Sequence, residues 1–102
     1  MSNLLEKTKT ALRLKTDDEN IIEEINGLII SGIADLEDTA GIDVGDLSPA
    51  SVLGCSGRDA LIALAVIQFV KLHFGEPDEY DRLLDAYERM KGNLKTAYRR
   101  GV

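Results

Sequence analysis

The chain has little of what supports catalysis, disulfide bonding or metal binding. It contains one cysteine, one histidine, no tryptophan and only 5% aromatic residues. A single cysteine excludes an internal disulfide and suggests a reducing compartment. A core with so few aromatic side chains must be mainly aliphatic. We therefore expect a protein whose function depends on its surfaces more than on reactive groups.

Long apolar segments are also missing. The longest apolar run lies between residues 60 and 70, whereas about 20 apolar residues are needed to cross a bilayer. The N-terminal residues contain no apolar signal segment. The sequence thus predicts a soluble protein with no membrane contact. Its 102 residues fit a single domain, 1–102, with one core.

One region of the chain has no basic residues, and another has no acidic residues. Residues 16–57 contain ten carboxylates and no lysine, arginine or histidine, whereas residues 89–102 contain five basic residues and no acid. The net charge of −6 makes a nucleic-acid-wrapping protein a poor candidate, because phosphate binding needs clustered basic residues. Unless the fold pairs them internally, the two regions give one molecule an acidic and a basic surface. Such a molecule can attract a second copy head-to-tail, and this type of contact can close into a ring.

Four helices are predicted from the apolar periodicity. The first covers about Asn3–Leu14 with Ser2 as N-cap, and the second starts at a capping box, Thr16 to Glu19, and ends before Gly41. The third starts near Ser56 and ends at Phe74; because its apolar residues occupy every side, we expect residues 58–74 to be the buried central helix. The fourth is a long C-terminal helix, Asp78–Tyr98. The fold class is therefore all-α, a small four-helix bundle.

The sequence leaves the role of two segments of this predicted bundle undecided. Gly27, Ser31 and Ala34 lie on nearly one side of the second helix, either for close packing within the chain or for close contact between subunits. The glycine-containing connector, residues 39–57, is long for a bundle loop and is predicted to be functional or mobile.

No catalytic or metal-binding constellation is evident. Cys55 precedes a predicted helix, but a cysteine nucleophile needs a base and an orienting group. The only imidazole, His73, is 18 residues downstream near a helix end, where a structural role is expected. We predict no enzyme activity, no metal site and no cofactor.

The basic C-terminal end allows three interpretations. Its charges can be a solvated helix end, can pair with acids of a neighbouring copy, or can contact nucleic acid, which the sparse aromatics and the overall charge disfavour. If the charges pair between neighbouring copies, the candidate acidic interface residues are Asp17, Asp18, Glu23, Glu24, Asp35 and Asp38. The candidate basic interface residues are Lys91, Lys95, Arg99 and Arg100.

Several short stretches match, in order and length, the sequence pattern of a known protein family. They are residues 9–14, 17–19, 21–30 and 36–41 in the first half, and 60–75, 78–83 and 87–91 in the second. Over residues 4–98 the chain resembles the tailed-phage head–tail connector proteins, also called adaptor or DNA-packaging proteins. The resemblance implies a structural subunit of a phage or prophage virion. About a dozen copies would form a ring below the portal. The protein would be in the host cytoplasm during assembly and at the head–tail junction of the finished virion.

The resemblance also implies the partners. The ring would extend the DNA channel and dock a stopper or tail-completion protein beneath it, with DNA passing through without specific binding. Carboxylates that face the channel would repel DNA, and the connector at 39–57 would order on docking. The alternative is a small acidic helical regulator that binds a partner protein without forming a ring.

Overall fold

Four segments of the chain fold into helices, in agreement with the periodicity. The computed structural model describes residues 3–14, 18–42, 44, 47–49, 57–74 and 79–98, without the side chains of 57–59 and 98. The helices are α1 (Leu4–Ala11), α2 (Glu19–Ala40), α3 (Gly57–His73) and α4 (Tyr80–Tyr98). No strand occurs in these ranges. The all-α prediction is confirmed.

Helix α1 is shorter than predicted at both ends. Its N-cap is Asn3, not Ser2, because the Asn3 side chain accepts a hydrogen bond from the Glu6 amide at 2.9 Å. The helix ends at Ala11, and the next residues form a Schellman motif: the Arg13 amide donates to the Thr10 carbonyl and the Leu14 amide donates to the Lys9 carbonyl. Arg13 holds the left-handed conformation, φ 59°, that usually belongs to glycine.

Helix α2 starts later than the predicted capping box. Asp18 is the N-cap and accepts from the Asn20 amide at 2.9 Å, so Glu19 is the first helical residue and not the third. The capping-box prediction is therefore wrong. The predicted end is confirmed: Gly41 takes the left-handed conformation, φ 65°, and its amide donates to the Leu36 carbonyl. The inward face of α2 buries Ile25, Ile29, Gly32, Leu36 and Ala40.

Helix α3 is central, because it packs against α1, α2 and α4. It buries Ile62, Ala63, Ala65, Val66, Val70 and Leu72. The predicted central helix is confirmed, but its burial is incomplete, since Leu61 and Leu64 are 49% and 53% exposed. Three neighbouring helices leave one side of α3 open, near its N-terminal half.

Helix α4 packs along α3 and also touches α2. Its Tyr87 and Leu94 are buried, and the Leu83 carbonyl accepts a hydrogen bond from the Gln68 amide group of α3 at 3.2 Å. The described part of the connector joins the same core: Ile42 and Val44 are buried, and the Pro49 carbonyl accepts from the Leu5 amide at 2.9 Å. Burial thus fixes Ile42 and Val44, and a backbone hydrogen bond fixes Pro49 against α1.

Candidate subunit interface

The acidic candidates of α2 divide into exposed groups and one enclosed group. Glu23, Glu24 and Asp38 are exposed and have no ion pair within the ranges that the structure describes, and Asp18 is exposed at the N-cap. Asp17 lies outside the described residues. Glu23, Glu24 and Asp38 therefore present negative charge to solvent along α2.

Asp35, by contrast, is paired within its own chain. Its carboxylate accepts hydrogen bonds from the buried Tyr87 hydroxyl and from Lys91 Nζ, the latter at 3.3 Å, and from the Thr39 hydroxyl at 3.2 Å. The side chains of Asp35 and Lys91 are only 26% and 18% exposed. Lys91 Nζ also lies 5.3 Å from the centre of the Tyr87 ring and 3.5 Å from Glu88. This polar cluster ties α4 to α2.

The cluster perturbs two ionisations. Partial burial by itself raises the pKa of Asp35, but the hydrogen bonds from Tyr87, Lys91 and Thr39 and the charge of Lys91 outweigh it and lower the pKa below its ordinary value near 3.8. The pKa of Tyr87 is raised well above its ordinary value near 10, mainly by burial. The hydrogen bond that Tyr87 donates to Asp35 and the negative charge of Asp35 raise it further. Asp35 is therefore ionised and Tyr87 neutral at physiological pH, as the hydrogen bond between them requires.

Among the basic candidates, Lys95 is the exposed one within the described ranges. It has no ion pair there, whereas the nearby Arg89 is held by Asp85 of its own helix at 2.9 Å. Arg99 and Arg100 lie outside the described residues. One acidic and one basic candidate, Asp35 and Lys91, thus meet inside the chain, and the intersubunit role of the others remains a prediction.

The small residues of α2 face outward. Gly27, Ser31 and Ala34 are exposed, and a methyl group added at Gly27 would meet no atom within 4 Å apart from the backbone of its own helical turns. Close packing within the chain therefore does not explain Gly27. Gly32 is the glycine that packs closely, since an added Cβ would lie 3.0 Å from Phe69 Cδ1. Beside the small residues, Ile30 is 57% exposed and lines a cleft of about 310 Å³ with Asn26, Pro49 and the start of α1.

A second apolar surface, which the sequence analysis missed, lies between α3 and α4. Leu61, Leu64, Met90, Asn93, Leu94 and Ala97 line a groove of about 130 Å³ there. Among the described residues that line this α3–α4 groove, Asn93 is the one with a polar side chain. The 3–4 spacing of Leu61 and Leu64 was visible in the sequence, but on a helix that is apolar all round it could not be told from core packing.

Of the two residues considered for catalysis, Cys55 and His73, the structure describes His73. His73 is exposed, and its ring lies 4.4 Å from that of Phe69. Cys55 is outside the described residues. No cluster of three or more histidine, cysteine, aspartate or glutamate side chains suited to a metal ion occurs among the residues described. Nor does any described helix have the length and hydropathy to cross a bilayer.

Comparison with protein-family models, curated proteins and solved structures gives no match for this chain.

Proposed function

We propose that the chain is a structural subunit of a tailed-phage or prophage head–tail connector, which assembles into a ring below the portal and extends the DNA channel. The observation that carries the proposal is the exposed acidic side of α2. Glu23, Glu24 and Asp38 have no ion pair among the described residues, and an unpaired acidic surface is suited to a basic partner surface. The four-helix architecture agrees with the resemblance seen in the sequence.

Exposed apolar side chains support an assembly role. Ile30, Leu61 and Leu64 are each about half exposed, on two different helices. An exposed ion pair contributes only about 0–1 kcal/mol, whereas burying an aliphatic side chain contributes about 1.5–3 kcal/mol. In this proposal the charges steer the subunits and set their register, and the apolar contacts supply most of the affinity.

Light scattering over a series of protein and salt concentrations, followed by co-sedimentation with the portal protein of the same phage, tests the proposal. We expect the chain to sediment with the portal in a complex that raised salt weakens. A chain that stays monomeric or dimeric at every concentration and does not sediment with the portal would contradict the proposal. That result would favour the alternative, an acidic helical regulator that binds one partner protein.

A further inference from the structure

We propose that the outer face of α2 in one copy packs against the outer face of α4 in the next, with the two helices antiparallel and crossing near Gly27 and Gly92. The inference rests on the proposed self-assembly and names the two surfaces that meet. All residues of both faces are exposed, and their 3–4 spacing places each set on one side of its helix. The α2 face consists of Glu23, Glu24, Gly27, Ser31 and Ala34, and the α4 face consists of Arg89, Gly92, Lys95 and Thr96.

Both faces allow another helix to approach closely. A methyl group added at Gly27 or at Gly92 would meet no atom within 4 Å apart from the backbone of its own helical turns. Glycine is unfavourable inside a helix, and packing against the described residues of the same chain explains neither glycine. One turn after each glycine lies another small residue, Ser31 on α2 and Thr96 on α4. Because the side chains at the contact set the distance between two packed helices, the backbones of α2 and α4 can meet closely here.

Charge selects the partner of the α2 face. Helix α2 contains six carboxylates and no basic residue, whereas residues 89–98 of α4 contain three basic residues and no acid. Glu23, Glu24 and Lys95 have no ion pair within the described ranges. Two α2 faces would repel each other, whereas an α2 face and an α4 face attract each other, which also speeds their encounter.

The same charges set the direction of the two helices. The two glutamates of the α2 face lie one turn before Gly27, whereas Lys95 lies one turn after Gly92. With the two glycines opposite each other, antiparallel helices place Lys95 beside the glutamates. Parallel helices would instead place Glu88, which lies one turn before Gly92, beside the glutamates. The antiparallel arrangement is therefore the favourable one.

The described residues of a single copy cover neither face. Helices α2 and α4 of one copy are joined through Asp35, Tyr87 and Lys91, which belong to neither the α2 face nor the α4 face. Each copy therefore offers an α2 face to one neighbour and an α4 face to another. A contact between two unlike surfaces is heterologous, and it repeats from copy to copy until the rotation closes into a ring.

The variants Gly27→Leu and Gly92→Leu test the contact by sedimentation velocity at low salt. At both positions the added Cβ meets no other part of the chain, and leucine favours the helix, so the thermal stability of the monomer should be unchanged or raised. Between two copies the same side chain would hold the backbones apart. Each variant should therefore self-associate about 5- to 150-fold more weakly than the wild type, as expected for an overpacked contact. Thr10→Leu, at an exposed position of α1 outside both faces, is the matched control and should associate like the wild type.

Mixing the two glycine variants shows whether the surfaces that meet are unlike. Gly27→Leu keeps an intact α4 face and Gly92→Leu keeps an intact α2 face, so an equimolar mixture should form dimers that grow no further. A mixture that remains monomeric would overturn the proposal. A glycine variant that associates like the wild type would also overturn it, and if only Gly92→Leu were weakened, two α4 faces would be in contact instead.

Charge reversal tests the direction of the helices. The double variant Glu23→Lys/Glu24→Lys and the single variant Lys95→Glu should each associate about tenfold more weakly at low salt, whereas Glu6→Lys, exposed on α1, should not. Combining all three reversals should restore association above the level of either variant, and a combination no stronger than both would overturn the antiparallel contact. A wild-type chain that stays monomeric up to millimolar concentration would overturn the contact as a whole, while co-sedimentation with the portal decides the proposed function separately.

Discussion

Replacing Gly32 by alanine should destabilise the chain relative to the same replacement at Gly27. Both glycines lie in the interior of α2, so each substitution gains a similar helix propensity, about 1 kcal/mol. They differ in the space around the added methyl group. At Gly27 it meets nothing within 4 Å, but at Gly32 it would lie 3.0, 3.2 and 3.3 Å from Cδ1, Cγ and Cβ of Phe69.

Phe69 has little freedom to move away. Its ring is packed against His73, with ring centres 4.4 Å apart, and edge-on against the buried Tyr87 at 5.5 Å. The contact also includes Phe69 Cβ, which a rotation of the side chain does not displace. Overpacking of a core costs about 1–3 kcal/mol. Because the propensity gain is common to both variants, we expect Gly32→Ala to be less stable than Gly27→Ala by that amount.

Urea unfolding followed by circular dichroism measures the difference, at protein concentrations where the chain is monomeric. Gly27→Ala should be up to about 1 kcal/mol more stable than the wild type. Gly92→Ala should behave in the same way, since its added methyl group also meets nothing within 4 Å. Equal free energies of unfolding for Gly32→Ala and Gly27→Ala would refute the packing of α2 against α3 described above.

Three further predictions concern the polar cluster and the basic end. Tyr87→Phe removes a buried hydrogen bond to an ionised carboxylate and should destabilise the chain by about 1.5 kcal/mol, the low end for such bonds, since Asp35 keeps its other partners; unchanged urea unfolding would contradict this. Because the pKa of Tyr87 is raised by folding, its contribution to stability is complete below about pH 10 and is lost as the pH rises further. The stability difference between the wild type and Tyr87→Phe should therefore shrink above pH 10, and a constant difference would argue against it. Reversing Arg99 and Arg100 to glutamate should weaken assembly at low salt by about tenfold, with the internally paired Arg82 reversed as control; unchanged assembly would remove the role of these charges.

The helices and their order followed from the sequence because the apolar spacing is local information. Ile25, Ile29 and Leu36 repeat at helical intervals, and they are buried as that pattern predicts. The caps were harder to place. Two or three adjacent residues able to cap stand at each start, Ser2 and Asn3 for α1 and Thr16 to Asp18 for α2, and the cap is the one whose own backbone is non-helical just before the first turn. Asn3 and Asp18 take that role in the structure.

The contacts between helices could not be read from the sequence. Asp35 and Lys91 are 56 residues apart, and only the way α2 packs against α4 brings their charges together. For the same reason Gly27 and Gly32, alike as residues, differ in their surroundings. The apolar pattern of α3 predicted burial on every side, but only three helices pack against it, and Leu61 and Leu64 are left partly exposed.

The central claim is that copies of this chain contact one another head-to-tail in a closed ring. Electron-microscopic end views of the complex between the chain and its portal test this most directly. We expect a continuous ring of subunits with the rotational symmetry of the portal, in which unlike surfaces of neighbouring copies meet. Isolated single copies on the portal, or copies that meet through identical surfaces, would contradict the account.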